Sequence, residues 1–184
     1  VLTRPDYADA VRDHAPNAGV LTEPQARDTG PALVYAAHRV REQVGDCVLL
    51  CLPSDHHVRG DFATTARTAA TVAADTGGLV TVGVEPTRPA TGYGYIDPGE
   101  ARDGYAPVAE FVEKPDAETA ERYVDAGHYW NAGIFAWTPS ALLDAARTTP
   151  LDPLVAALDK GDPESGFAAV ESVSIDYAVL ERAD

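Results

Sequence analysis

The sequence of 184 residues contains no methionine and only two lysines, Lys114 and Lys160. It carries 29 acidic residues against 14 basic ones, which gives a formal net charge of −15. A surface this acidic argues against electrostatic binding to nucleic acid or to an anionic membrane as the main function. Abundant acid with scarce lysine predicts a protein that stays soluble at high salt; an acidic protein from a GC-rich genome is the alternative.

Cysteine is equally scarce, with only Cys47 and Cys51. On one strand, residues four positions apart lie roughly 13 Å apart, too far for a disulfide. The pair therefore predicts buried thiols in a reducing cytoplasm. No apolar run approaches the length of a membrane span, and no signal segment opens the chain. The missing start methionine and the opening VLTRPDYADAV, which resembles the middle of a domain, predict a chain without its N-terminal part.

Alternating helix and strand patterns predict a single α/β domain over residues 1–184. Helices are expected at 6–15, 27–45, 61–78, 116–127 and 138–150, and strands at 19–23, 46–55, 79–84, 105–115 and 129–137. Residues 86–100, which include GYGYI, are expected to form a turn-rich loop. The run DCVLLCLPSD lacks polar alternation, which predicts burial on both faces, and LVTVGV is predicted to be a second buried strand. Strand, helix and strand in this order favour a right-handed crossover with parallel pairing. The predicted fold class is α/β, with a mixed, mainly parallel central sheet flanked by helices.

Local signals place several helix ends. Asp28 or Thr29 can cap the second helix, Pro31 suits its first turn, and Gly45 ends it. For the last predicted helix the cap is Thr138 or Ser140.

Two polar clusters follow predicted strands and are the first candidates for chemistry. Asp55 follows the strand that ends near Leu52, and Glu113 and Lys114 follow AEFV. In open α/β sheets ligands bind beyond the carboxyl ends of strands, so a carboxylate for Mg²⁺ and a lysine for a phosphate would suit phosphoryl or nucleotidyl transfer. The structural alternatives are a turn or helix cap at Asp55 and a solvated strand end at Glu113–Lys114.

His56 and His57 raise the further possibility of a zinc site. Adjacent histidines point apart on an extended chain, and no other ligand is suitably spaced. Glycine-rich phosphate loops and serine or cysteine nucleophile motifs are not found.

Five strings together resemble a known family. EPQARDTGPAL, LPSDHHV, PATGYGYI, FVEKPDAETAERYVDAGHYWNAGIFAW and SVSIDYAVLE are similar, in order and separation, to the mannose-1-phosphate guanylyltransferases of the sugar nucleotidyltransferase superfamily. FVEKP and GYGYI are typical of the superfamily, whereas YWNAGIFAW and SIDYAVLE point to the guanylyltransferases. The resemblance covers nearly the whole chain. It implies a Rossmann-like nucleotidyltransferase fold, incomplete at the N-terminus.

The resemblance also implies substrates and a cofactor. GTP and mannose 1-phosphate would give GDP-mannose and pyrophosphate, with Mg²⁺ held by Asp55 and Asp176 between the nucleotide α-phosphate and the sugar phosphate. It leaves homo-oligomerisation open.

Five further positions receive binding roles from the same resemblance. Lys114 would contact the sugar phosphate, and Glu113 and Asn131 the sugar hydroxyls. Gly94 would let the backbone approach the sugar ring. The stretch from Glu23 to Gly30 would lead past the nucleobase. The structural alternatives are a helix cap at Asp176 and, at Asn131, hydrogen bonds that hold neighbouring backbone.

The sequence departs from the family in one respect. Residues 1–184 contain nothing like the glycine- and arginine-rich loop that holds the triphosphate in these enzymes. This leaves open a sibling enzyme that uses glucose 1-phosphate and a pyrimidine nucleotide, a non-catalytic nucleotide-sugar-binding relative, or a structural acidic domain.

Overall fold

The computed structural model describes residues 1–183. They form two compact units, the first comprising Val1–Cys47 and the chain from Leu142 onward, the second Val48–Ala141. The expectation of one domain stays a prediction, and each unit is described by itself.

The helices are α1 (Ala8–His14), α2 (Thr29–Val44), α3 (Phe62–Thr76), α4 (Ala117–Asp125), α5 (Pro139–Ala146), α6 (Asp152–Leu158), α7 (Pro163–Ala168) and α8 (Ile175–Ala178), with 3-10 turns at Pro5–Tyr7 and Leu180–Arg182. The strands are β1 (Leu2–Thr3), β2 (Leu21–Thr22), β3 (Leu49–Cys51), β4 (Val80–Val84), β5 (Tyr95–Pro98), β6 (Val108–Val112) and β7 (Tyr129–Trp137). The sequence patterns predicted no element where α6 and α7 lie. Among the residues described, no helix is long and apolar enough to cross a membrane.

Helix α2 is the longest helix described in the first unit. Its N-cap is Asp28, whose carboxylate accepts a hydrogen bond of 2.6 Å from the Thr29 amide, and its C-cap is Gly45 with a φ of 90°. Both ends agree with the local signals. The buried face of α2 carries Tyr35, whose ring meets the Phe167 ring of α7 edge-on with centroids 5.6 Å apart. Strands β1 and β2 of this unit pair with each other in parallel.

The second unit contains a five-stranded sheet built around β7. Phe135 and Ala136 pair with both β3 and β4, so these two strands lie on opposite edges of β7. Trp130 pairs with both β4 and β5, so β5 lies on the same edge as β3. Strand β6 then pairs with β5. The long strand predicted at 129–137 is therefore the centre of the sheet.

The α/β class is confirmed, but the expectation of mainly parallel pairing is wrong for this sheet. Every pairing described within it is antiparallel. Strands β3 and β4 do run in the same direction, because each is antiparallel to β7. They are not neighbours, since β7 lies between them, a placement that the local β3–α3–β4 pattern cannot encode.

The predicted burial of β3 and β4 on both faces is also wrong. Leu50 is 36% exposed, Leu52 50% and Val84 46%. The physical reason is position, since each strand hydrogen-bonds to a single neighbour within residues 1–183. The core lies under α3, where Ala69 and Ala73 pack against Ala136 of β7.

Neither cysteine forms a disulfide, and both are half-buried rather than fully buried. Burial raises the pKa of the Cys51 thiol to about 11.

Candidate functional site

Three strand ends meet beside the middle of β7. Strand β3 ends where Cys51 pairs with Phe135, and β5 begins where Tyr95 pairs with Trp130. Strand β6 ends where Val112 pairs with Tyr95. The residues that follow β3, precede β5 and follow β6 are therefore neighbours. In agreement, a Cβ built on Gly133 of β7 would lie 3.7 Å from Pro53 Cγ, directly after β3.

The strand directions differ from those expected for the two polar clusters, Asp55 and Glu113–Lys114. Asp55 and Lys114 were expected together because each follows the carboxyl end of a strand. Strand β6, however, runs antiparallel to β3, because β5 and β3 share a direction and β6 opposes β5. The chain after β3 and the chain before β5 both lie against the middle of β7, because β3 stops and β5 starts along the same edge of that strand.

Gly94 is buried between the side chains of Glu113 and Asn131. A Cβ at position 94 would overlap Glu113 Oε2 and lie 3.3 Å from Asn131 Cβ. The Asn131 amide donates to the Gly94 carbonyl at 2.8 Å. The Glu113 side chain is only 8% exposed. The missing side chain of Gly94 is thus what allows a carboxylate and a carboxamide to lie side by side here.

Lys114 has an unusual backbone and an accessible charge. Its φ of 49° is left-handed, which L residues rarely adopt, and its amide donates to the Tyr93 carbonyl at 3.2 Å. Its ammonium lies 2.9 Å from Glu113 Oε1, while its side chain is 51% exposed. Strained backbone of this kind persists where surrounding structure holds it and is enriched at functional sites.

An aromatic pair and an arginine flank these residues. The rings of Tyr93 and Trp130 meet edge-on with centroids 5.0 Å apart. The Arg88 guanidinium carbon lies 6.0 Å from the Trp130 ring centroid. Sequence reasoning did not select Arg88, although it lies in the same turn-rich loop as Gly94.

Asn131 also has the structural role named as its alternative. Its Oδ1 accepts from the Gly133 amide at 3.0 Å and from the Thr81 hydroxyl at 2.9 Å. Thr81 lies 50 residues away in sequence, and no local signal could have connected the two.

Asp55 lies exposed in the turn after β3. It does not cap α3, because Asp61 does so by accepting from the Thr64 amide at 3.1 Å. His56 lines a small apolar hollow with Leu52, Pro53 and Ile134. Within residues 1–183, no three or more His, Cys, Asp or Glu side chains are grouped so that they could hold a metal ion.

In the first unit, the loop from Glu23 to Gly30 is tied to the segment before Asp176. The Gly30 amide donates to the Val173 carbonyl at 3.0 Å, and the Ile175 amide donates to the Thr29 hydroxyl at 3.0 Å. A Cβ on Gly30 would lie 2.6 Å from that carbonyl oxygen, so glycine permits the approach. The strings EPQARDTGPAL and SVSIDYAVLE, which were selected separately from the sequence, are therefore hydrogen-bonded to each other in this unit.

Asp176 does not cap α8, contrary to its structural alternative. The cap is Ser174, whose hydroxyl accepts from the Tyr177 amide at 3.3 Å. Asp176 is the second residue of the helix and is half-buried.

Glu23 is a buried carboxylate. The residue is 8% exposed, and its Oε2 has no hydrogen-bond partner within residues 1–183. Burial raises the pKa of this carboxyl, and the charge of Arg4 partly opposes the shift. A buried acceptor without a partner is costly, which marks the residue as a candidate for ligand recognition.

The proposed Mg²⁺ ligands belong to different units, Asp55 to the second and Asp176 to the first. Mg²⁺ is usually held by one or two carboxylates together with substrate phosphates. Two aspartates are therefore a chemically suitable donor set. Their sharing of one ion stays a prediction.

Comparison with known proteins identifies a family match and several relatives. The family model described as "Nucleotidyl transferase" matches residues 4–168. The chain is 42% identical over 180 residues to the xanthan biosynthesis protein XanB of Xanthomonas campestris pv. campestris, covering 90% of this chain and 38% of that protein. It is 40% identical over 183 residues to the mannose-1-phosphate guanylyltransferase ManC of Salmonella typhimurium, covering 89% of this chain and 38% of ManC.

A solved structure is similar over the full chain. The crystal structure described as "mannose-1-phosphate geranyltransferase from Thermus thermophilus" superposes with a TM-score of 0.88 at 33% identity, over 100% of this chain and 56% of that one. The fold is therefore the α/β nucleotidyltransferase fold, and the chain belongs to the nucleotidyl transferase family. Its relatives include proteins named mannose-1-phosphate guanylyltransferase. The chain spans about 38% of the length of the curated relatives described above.

Proposed function

We propose that this chain supplies the sugar-phosphate side of an enzyme that transfers a guanylyl group from GTP to mannose 1-phosphate. The products would be GDP-mannose and pyrophosphate. A phosphate oxygen of the sugar phosphate attacks the α-phosphorus of the nucleotide, and the bond to pyrophosphate breaks. The similarity to ManC supports the choice of substrates.

The observation that carries the proposal is the group formed by Gly94, Glu113, Lys114 and Asn131. A sugar hydroxyl can donate and accept at once, so a carboxylate beside a carboxamide suits it. The adjacent lysine supplies a positive charge for a phosphate. Gly94 leaves room for these side chains beside its own backbone. An acceptor, a donor and a cation within one small region match the chemistry of a sugar phosphate.

Each residue has a separate task in this proposal. Glu113 and Asn131 orient the sugar, and Lys114 offsets the charge of its phosphate as the attacking oxygen approaches. When bound, Mg²⁺ would supply further positive charge to the phosphates.

Glu23 is proposed to accept hydrogen bonds from the nucleobase. Guanine presents two neighbouring donors, its ring N–H and its amino group, and a carboxylate can accept from both. The buried, unpartnered Oε2 supports this role.

The test is calorimetric titration of the chain, in high-salt buffer with Mg²⁺, using GDP-mannose and then UDP-glucose. Binding of GDP-mannose and not of UDP-glucose is expected. Preference for UDP-glucose would favour the sibling enzyme of other specificity. No heat from either ligand, with folding verified by circular dichroism, would contradict the proposed sugar site.

Replacement of the two aspartates tests the metal proposal. Asp55→Asn and Asp176→Asn each remove one anionic oxygen ligand with little change in shape, so Mg²⁺ should no longer strengthen GDP-mannose binding. Titrations with Mg²⁺ and with EDTA measure this difference. Undiminished Mg²⁺ dependence in both variants would remove these residues from the metal site.

A further inference from the structure

Arg4 and Glu23 occupy matching positions directly after β1 and β2. Thr3 pairs with Thr22 in parallel. The ladder continues one step further, because the Glu23 amide donates to the Thr3 carbonyl at 3.1 Å and the Arg4 backbone stays extended, with φ −76° and ψ 153°. Residues at matching positions of adjacent strands direct their side chains to the same face, and the strands lie about 4.8 Å apart. A guanidinium and a carboxylate therefore leave the backbone side by side.

The two side chains differ in exposure and in their partners. Glu23 is 8% exposed, and its Oε2 has no hydrogen-bond partner within residues 1–183. Burial raises the pKa of the Glu23 carboxyl, and the charge of Arg4 opposes that shift. Arg4 is exposed, and its guanidinium carbon lies 4.7 Å from the centroid of the Tyr7 ring. An accessible cation thus lies close to a buried acid that has one oxygen without a partner.

Guanine carries complementary groups on adjacent edges. Its ring N–H and its amino group are donors, whereas its O6 and N7 are acceptors. A carboxylate only accepts hydrogen bonds and an arginine only donates them. Arginine binds O6 and N7 of guanine as a bidentate pair, whereas adenine presents an amino donor in place of O6. A neighbouring carboxylate and guanidinium therefore fit guanine better than they fit adenine.

We infer that Arg4 is a base-specificity residue that donates to O6 and N7 of guanine, while Glu23 accepts from the ring N–H and the amino group. This inference rests on the proposed function, in which Glu23 binds the nucleobase. It assigns a partner to the guanine edge that Glu23 leaves uncovered. The contact with the Tyr7 ring restricts the guanidinium before a ligand arrives, so less conformational freedom is lost on binding.

A role as a counter-charge makes a different prediction. If Arg4 only favours the ionised form of Glu23, its removal should have no effect once Glu23 is replaced by glutamine. It should also make no difference whether the purine has an N7 acceptor. If Arg4 contacts the base, its removal weakens binding in both backgrounds, and the N7 acceptor matters.

The experiment uses GDP and two analogues, with affinities measured by calorimetry at one salt and one Mg²⁺ concentration. Inosine diphosphate lacks the amino group of guanine, and 7-deaza-GDP lacks the N7 acceptor. The wild-type chain is expected to bind each analogue about five- to tenfold more weakly than GDP. In Arg4→Ala, GDP affinity should fall about tenfold and 7-deaza-GDP should bind within about twofold of GDP, while the preference over inosine diphosphate remains.

Two further variants separate the roles of the acid and the cation. Glu23→Gln should show the reverse pattern, losing the preference over inosine diphosphate and keeping the preference over 7-deaza-GDP. Arg12→Ala is the charge control, because Arg12 belongs to α1 and pairs with Asp9 at 2.7 Å. It should leave all three affinities unchanged. Melting temperatures verify that each variant is folded.

Four outcomes would overturn the inference. Equal wild-type affinities for GDP and 7-deaza-GDP, which need no variant, would overturn it alone and leave the proposed function standing. Unchanged GDP affinity in folded Arg4→Ala would do the same. Loss of the Arg4→Ala effect in the Glu23→Gln background would show a counter-charge role. Failure of the folded wild-type chain to bind either GDP or GDP-mannose would overturn both the inference and the proposed function.

Discussion

The two units use charged side chains in different ways. In the first unit, Asp159 follows the end of α6 and forms an ion pair with Arg147 at 2.6 Å. His38 Nε2 lies 3.4 Å and an Arg41 nitrogen 3.8 Å from the same carboxylate. In the second, Lys114 pairs with the buried Glu113 on a left-handed backbone at a strand end.

The difference separates charges that pair within the fold from charges that we propose to bind substrate. Asp159 lies beside Arg41 of α2 and Arg147, which follows α5, and the hydrogen bond from Arg147 lowers its pKa. This network joins α2 to the residues that follow α5 and α6. At Glu113 the acid is buried while its lysine is half exposed, and the backbone between them is strained. Such a pair could accept an added phosphate, which is the role that we propose for it.

The largest expected effect tests the first unit. Gly30→Ala would place a methyl group 2.6 Å from the Val173 carbonyl oxygen, and backbone cannot yield as a side-chain end can. We expect a loss of about 3 kcal/mol in unfolding free energy, measured by urea denaturation. The matched control is Gly19→Ala, which meets nothing within 4 Å. Equal stability of the two variants would show that the tie between α2 and the segment before Asp176 is looser than described.

The second prediction compares the only two lysines. Lys114→Ala should weaken GDP-mannose binding by about 1.5–3 kcal/mol, the value of a lost charge-assisted hydrogen bond. Lys160→Ala removes the same charge from an exposed turn of the first unit and should leave affinity nearly unchanged. Calorimetry measures both.

Equal effects of the two lysine variants would mean that only overall charge matters. In that case Lys114 would have no special role in binding, and the proposed difference between the charges of the two units would be wrong.

The third prediction concerns Gly94, the counterpart of Gly30 in the second unit. Here an added methyl group meets the flexible end of Glu113 rather than backbone. Gly94→Ala should therefore displace the carboxylate and weaken GDP-mannose binding about tenfold, or about 1.4 kcal/mol, while lowering stability less than Gly30→Ala does. Gly92→Ala, in the same loop, meets nothing within 4 Å and is the control. A large loss of stability with unchanged affinity would show that Gly94 serves the fold rather than ligand binding.

Features with local causes could be predicted from the sequence. The ends of α2 follow from the Asp28 cap and the Gly45 stop, because capping depends on a few adjacent residues. The long strand at 129–137 was likewise visible as an apolar run. Gly94, Glu113, Lys114 and Asn131 were selected through family strings, and the structure places them together.

Features that depend on strand neighbours could not be predicted. Nothing in the β3–α3–β4 pattern indicates that β7, from later in the chain, lies between the two strands. The register shift between β4 and β7, and the hydrogen bond from Thr81 to Asn131, likewise depend on which strands are neighbours. Register is decided by tertiary packing, so a contact between residues of distant strands leaves no local signal.

The smallest expected effect concerns Glu23, the buried acid of the first unit. Burial raises its pKa, so the ionised form is disfavoured in the folded state. That cost is present above the folded pKa and disappears as pH falls below the unfolded value of 4.5. Glu23→Gln should therefore raise the melting temperature modestly at pH 7, with the gain shrinking toward pH 4, as measured by thermal scans across this range.

The same substitution should weaken GDP binding if the carboxylate accepts both guanine donors, because an amide oxygen is a poorer acceptor. A gain in stability coupled to a loss of affinity would assign Glu23 to the ligand rather than to the fold. It would also show that the first unit keeps one buried acid for binding. A loss of both properties would instead place Glu23 with Asp159 among the structural charges.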